Sequence, residues 1–164
     1  MLLYHGSNTE VADPRLLKQT RGLDFGHGFY ATTNEKQAKR FAKTVRERRE
    51  IGTPIVSVFE YNMDAAIRTL AVCKFEHPDT KWFQFVVDNR RKIYQGKSFD
   101  IVVGPVANDD VMPTIQGYLS GFISKRLAMA QLKASRLVDQ VCLKTEEALS
   151  FLRYIRSFEV KGSR

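Results

Sequence analysis

The chain has 164 residues, of which 43% are hydrophobic and 11% aromatic, enough for one core and too few for two enzymatic domains. Twenty-six Lys and Arg against 18 Asp and Glu give a formal net charge of +8, which favours polyanions such as nucleic acid, nucleotides or an acidic protein partner. No apolar run approaches the roughly 18–20 residues of a bilayer span, and Met1-Leu2-Leu3-Tyr4-His5 lacks the order of a secretion signal, so a single-domain cytoplasmic protein over 1–164 with no membrane partner is expected.

Residues 2–5 read as a short strand ending at Gly6-Ser7-Asn8, which places His5 at a strand end. Pro14 turns 11–18 into irregular or short helical structure. A second strand covers 28–32, with Phe29 and Ala31 facing opposite to Tyr30, and Gly26 and Gly28 flank His27 just before it. Asn34 is a good helix cap, and Ala38, Phe41, Ala42 and Val45 recur at helical spacing until Gly52-Thr53-Pro54. The other faces of that helix carry Lys36, Lys39, Arg40, Lys43, Arg46, Arg48 and Arg49 against Glu35, Glu47 and Glu50. Such a surplus is either a solvated face or a ridge that docks a polyanion.

Residues 55–61 predict a strand, 62–68 a loop or helical turn, and 71–75 fit either element. His77-Pro78-Asp79 reads as a turn, and Trp82, Phe85 and Val86 mark a helix with an aromatic core pair, ending near Arg90-Arg91-Lys92. Asn89 and Arg90 on it could meet a phosphate or form a surface ion pair. Residues 100–105 form a buried strand. After Pro113, one helical stripe of Ile115, Tyr118, Leu119 and Phe122 and a second over 127–132 predict a helical hairpin. Residues 138–143 read as a strand with Gln140 and Cys142 on one face and Val141 and Leu143 on the other. Thr145 caps a final helix with Leu149, Leu152 and Ile155 inward. Strands and helices mixed without strict alternation predict an α+β fold.

The nucleotide signatures GxxxxGK[ST] and GxGxxG are missing, as are HExxH and GxSxG. Cys73 and Cys142 stand in no CxxC or Cys/His spacing, so both read as reduced, small core residues and no metal is expected; Cys142, on the face of Gln140, is a candidate for lining a cleft. What remains is His5, Tyr30 and Gln140 on strand edges.

Four segments carry a resemblance: Leu3-Tyr4-His5-Gly6-Ser7, Asp24-Phe25-Gly26-His27-Gly28-Phe29-Tyr30-Ala31-Thr32, Asp100-Ile101-Val102-Val103-Gly104-Pro105-Val106-Ala107 and Asp139-Gln140-Val141-Cys142. Together they are similar to the bacterial DUF3990 family, which resembles the ADP-ribosyltransferase fold. The resemblance implies two small, mainly antiparallel sheets flanked by helices and holding NAD+ in a cleft. It further implies that His5 bonds ribose hydroxyls, that Tyr30 packs on the nicotinamide, and that the backbone of Gly6 grips the carboxamide. Ser7, Gly28 and Phe29 join Gly6 as NAD-contacting positions on the same ground, and His27 reads either as a neighbour of the diphosphate or as a surface loop side chain.

The third motif residue is usually Glu in such transferases, and here Gln140 stands in its place. Cleaving a glycosidic bond passes through an oxocarbenium-like state that a carboxylate can stabilise, whereas Gln is neutral and no general base. Gln140 therefore points to an acceptor that needs little activation, to a base supplied elsewhere, or to weakened catalysis; Glu146 and Glu147 are the carboxylates next along the chain. The implied activity is transfer of ADP-ribose from NAD+ to a macromolecule, nucleic acid or protein, in a toxin-like role with a cognate antitoxin. The alternatives are an NAD+ glycohydrolase and a catalytically weak module that binds NAD or a partner.

Overall fold

A computed structural model describes residues 1–18, 22–106, 111–133 and 138–161. In chain order the elements are β1 (Leu2–Ser7), β2 (Phe29–Ala31), α1 (Glu35–Arg49), β3 (Ile55–Tyr61), α2 (Met63–Thr69), β4 (Val72–Lys74) and α3 (Thr80–Arg90). They continue with β5 (Ile101–Pro105), α4 (Met112–Leu119), α5 (Lys125–Lys133), β6 (Asp139–Leu143), α6 (Glu146–Leu149) and β7 (Leu152–Glu159). The strands make two small sheets, ordered β1-β3-β7 and β2-β6-β5-β4. Only the β4–β5 pair is parallel among them. The fold is thus α+β, as the mixed order predicts, and β4 resolves the ambiguous 71–75 stretch while α2 makes 63–69 helical.

The sheets meet across a shared core of Leu3, Phe29, Phe59, Ile101, Val141 and Leu143. Helices α3, α4 and α5 cover the far face of the four-stranded sheet, where Phe25, Trp82, Phe83, Phe85, Val102 and Cys142 are buried. Trp82 fills this layer and still donates its indole N–H to the Pro105 carbonyl at 3.0 Å, so its one polar atom is not orphaned. Helix α1 packs Ala38 and Ala42 on Val56 and Val58, on the outer face of the three-stranded sheet. Val141 and Leu143 face the inter-sheet core while Cys142 faces the helices, the alternation expected of β6.

Three local readings are corrected. The last segment is the strand β7, paired antiparallel with β3 from Tyr61↔Leu152 to Ile55↔Glu159, and α6 stops at Leu149. Leu149, Leu152 and Ile155 match a helical spacing, but an irregularity between Val58 and Phe59 flips the side-chain parity of β7. Tyr154 therefore faces the inter-sheet core, Phe158 faces α1, and Ile155 is left 41% exposed. Phe41 is 42% exposed, because Ala38, Ala42 and Val45 already fill the buried stripe of α1. Phe122 is 87% exposed, since α4 ends at Leu119, before it.

Candidate functional site

Among the described residues the two sheets are joined side by side at one place. Tyr4 of β1 and Thr32, the residue just after β2, form an isolated antiparallel bridge, with Tyr4 N–H to Thr32 O at 2.8 Å and Thr32 N–H to Tyr4 O at 3.0 Å. On the other side β2 pairs with β6, Tyr30 opposite Cys142. The strands that carry His5, Tyr30 and Gln140 are therefore consecutive across the junction.

His5 is half-buried, stacked on Phe29 with ring centroids 4.5 Å apart. Its Nδ1 lies 2.7 Å from the Tyr30 carbonyl oxygen. A carbonyl only accepts, so Nδ1 carries the proton and neutral His5 presents Nε2 as a bare acceptor. Nε2 has no hydrogen-bond partner among the described residues and is not wholly buried. Burial, opposed by the Tyr30 carbonyl and assisted by Arg49, holds the imidazole pKa below its usual value, which keeps that acceptor available at neutral pH.

Tyr30 turns to the other face of β2, where its ring stacks on Phe25 at 6.5 Å. Its hydroxyl donates to the Gly26 carbonyl at 2.6 Å and accepts the Phe25 N–H at 3.0 Å. Both functions of the hydroxyl are spent on the 24–28 turn, and burial raises its pKa well above 10. Only the ring itself is left for a ligand. Lys144 closes the same turn by donating to the Phe25 and His27 carbonyls, and burial lowers its pKa. Gly26 completes the turn with φ +78, a conformation in which a side chain would also strike Asn89.

Gln140 is 7% exposed, and its Nε2 donates to Asp24 Oδ2 at 3.1 Å. The other oxygen of Asp24 accepts from Arg90, Nε at 2.7 Å and a second guanidinium nitrogen at 2.5 Å. Asp24 is 6% and Arg90 18% exposed at the side chain, so this is a buried ion pair with an amide attached. The pairing fixes which way the Gln140 amide points: its NH2 faces Asp24, and Oε1 has no partner among the described residues.

Over residues 1–154 the chain matches the family described as Protein of unknown function (DUF3990). The chain belongs to that family. No curated protein and no solved structure matches it.

In this DUF3990 chain the motif glycines have packing reasons as well. A Cβ on Gly6 would stand 2.2 Å from the Ala38 carbonyl, so β1 can lie under α1 only without one. A Cβ on Gly28 would stand 2.4 Å from Cys142 Sγ. Phe29 is buried beneath His5, and Ser7 is 8% exposed. His27 is exposed and bonds the Leu17 carbonyl at 2.7 Å. Cys142 lies wholly inside the core with its thiol pushed up to about 12 by burial, which takes it out of any cleft. Glu146 and Glu147 are exposed at the start of α6, while the carboxylate at Gln140 is Asp24. Ala107, the end of the third motif segment, lies outside the described residues.

The DUF3990 site gathers Tyr30 and Gln140 around the 24–28 turn and ties His5 to it only through the Tyr30 backbone. No hydrogen bond or ring contact joins the three side chains to one another among the described residues. Two open, shallow depressions lie elsewhere, one beside Met1, Glu60 and Arg153 and the other beside Asp13, Glu146 and Tyr154. Asp24 and Arg90 are the partners that residue-by-residue reading missed, although both stand in sequence segments it singled out.

Proposed function

We propose that this DUF3990 chain is a mono-ADP-ribosyltransferase of ADP-ribosyltransferase-like fold, moving ADP-ribose from NAD+ to a macromolecular acceptor. The observation that carries the reading is the open pair of acceptors, His5 Nε2 and Gln140 Oε1, on strands that flank Tyr30 across the sheet junction. A ribose offers vicinal hydroxyl donors, and these two side chains are neutral acceptors already held from behind.

When bound, NAD+ supplies the ADP-ribosyl group and a nicotinamide leaving group. The C–N glycosidic bond breaks with its electron pair going to nicotinamide, a bond from the same carbon to the acceptor forms, and the acceptor proton leaves to a base or solvent. His5 accepts a hydrogen bond from a ribose hydroxyl through Nε2. Gln140 accepts one through Oε1, oriented by Asp24, and Asp24 is held in turn by Arg90. Tyr30 offers its ring while its hydroxyl keeps the 24–28 turn in shape. Catalysis in this arrangement is positioning and fixed dipoles.

A second reading has its own observation. Both oxygens of Asp24 are engaged, by Arg90 and Gln140, which favours an NAD-binding module with little turnover. Following nicotinamide release separates the two. The transferase reading expects release with transfer to a macromolecule, and loss of about a hundredfold in His5→Ala and Gln140→Ala. NAD binding without release supports the module, and free ADP-ribose without a labelled macromolecule supports a glycohydrolase.

A further inference from the structure

Helix α1 carries more positive charge than a solvated helix needs. Lys36 and Arg40, and Lys39 and Lys43, are like-charged pairs four residues apart, an arrangement that costs helix stability. Among the described residues Lys39 has an ion pair, with Glu35 at 2.5 Å, while Lys36, Arg40, Lys43 and Arg46 have none. Lys36, Arg40 and Lys43 run down the side opposite the buried Ala38, Ala42 and Val45, interrupted near the end by Glu47. At 1.5 Å per residue the line from Lys36 to Lys43 is about 10 Å long.

The line does not stop at α1. Lys39 Nζ sits 5.3 Å and the Arg156 guanidinium 5.0 Å from the Phe158 ring centroid, so β7 extends the basic surface and adds a half-buried aromatic. On the other flank Phe41 is 42% exposed, an aromatic ring within reach of the cation row. Cations in a row with flanking aromatic rings are the means by which proteins hold single strands, the cations on phosphates and the rings under bases. A duplex keeps its bases stacked within and has no use for the rings.

The helix also begins at the candidate site. Two residues before Asn34 caps α1, the Thr32 hydroxyl donates to the Asp139 carbonyl at 2.8 Å, and the Thr33 hydroxyl donates to the Asp139 carboxylate at 2.6 Å. The residue after Asp139 is Gln140. A strand laid along α1 thus leads to the start of β6.

We infer that the outer side of α1, continued by Arg156 and Phe158, is a docking track for a single-stranded polynucleotide, whose phosphates it reads without base specificity. Resting on the transferase reading, this names nucleic acid as the acceptor class.

The test is fluorescence anisotropy of the whole protein with labelled oligothymidine and oligouridine of about 20 nucleotides, a matched duplex, and polyglutamate as competitor. About five cations predict log K falling with log salt at a slope near −3.5 for the single strands. In the triple variant Lys36→Gln, Arg40→Gln, Lys43→Gln the slope should shallow by about 2. Phe41→Ala should weaken binding about tenfold at unchanged slope. No binding, a salt-independent affinity, equal affinity for duplex, displacement by polyglutamate at matched charge, or an unaffected triple variant would each overturn the track. Nicotinamide release measured with protein, RNA and DNA acceptors each supplied in turn keeps the two claims apart. Binding without release fails the transferase and spares the track, and release without binding does the reverse.

Discussion

His5 and Gln140 share a design at the residue scale: each is held from behind by a partner that decides which atom is left as an acceptor. For His5 the consequence is a pH dependence with a definite sign. Its folded pKa lies below 6.5 because burial disfavours the imidazolium, so below 6.5 the unfolded chain takes up a proton that the folded chain refuses. Stability is therefore lost as pH falls from 6.5 toward the folded value, by at most about 1.4 kcal/mol per pH unit, and the loss ends below that value. Denaturant melts of wild type and His5→Phe between about pH 7 and 5 should show the slope in wild type and a flatter line in the variant. For Gln140 the counter-intuitive expectation concerns Gln140→Glu, which restores the residue usual in transferases. It sets a second carboxylate against Asp24, at the 3.1 Å contact now made by the amide. We expect about 2 kcal/mol of lost stability at neutral pH and no gain in activity. The pKa of the introduced carboxyl is raised there, so the deficit should widen as pH rises above about 4.3 and shrink in acid. A stable, more active variant across pH 5–8 would show that Asp24 does not govern this position.

Among the elements, the junction of β1, β2 and α1 does the positioning. Gly6→Ala pushes a methyl against the Ala38 carbonyl, 2.2 Å from the ideal Cβ, and neither backbone can yield without moving α1 on β1. A cost of about 2–3 kcal/mol is expected, read as a lowered denaturant midpoint. Tyr30→Phe keeps the ring and removes the hydroxyl that links Gly26 O and Phe25 N. It should cost about 1–2 kcal/mol and speed amide exchange at Phe25, with unchanged exchange arguing against a role in the turn. Part of this element layer was legible from the sequence, because Asn34 and Thr145 cap their helices with side-chain oxygens and β6 alternates cleanly, while the caps at Asn62 and Asp79 emerge only in the structure. β7 was not, since one irregularity in its pairing breaks the two-residue period and leaves apolar residues at a three-residue spacing that also suits a helix. The candidate site was legible only as residue types on three strands. That Asp24 and Arg90 stand behind Gln140 depends on contacts 116 and 66 residues apart, which no local pattern encodes.

At the scale of the whole molecule, two sheets back to back leave one lateral junction among the described residues, and β1, β2 and β6, which carry the motif residues, lie side by side there. The net charge of +8 is not spread evenly, and α1 holds a large part of it on the outer face of the three-stranded sheet. No helix among the described residues is long and apolar enough to cross a membrane. In the proposed function, a dinucleotide bound at that junction would lie beside the basic outer side of α1. The most direct test incubates the pure protein with NAD+ labelled on the adenylate phosphate, together with separate protein, RNA and DNA acceptors, and follows nicotinamide release and label transfer. The account predicts release coupled to label on a single-stranded nucleic acid, both lost in His5→Ala and Gln140→Ala variants that remain folded. Label transfer and release at wild-type rates in both variants would contradict it.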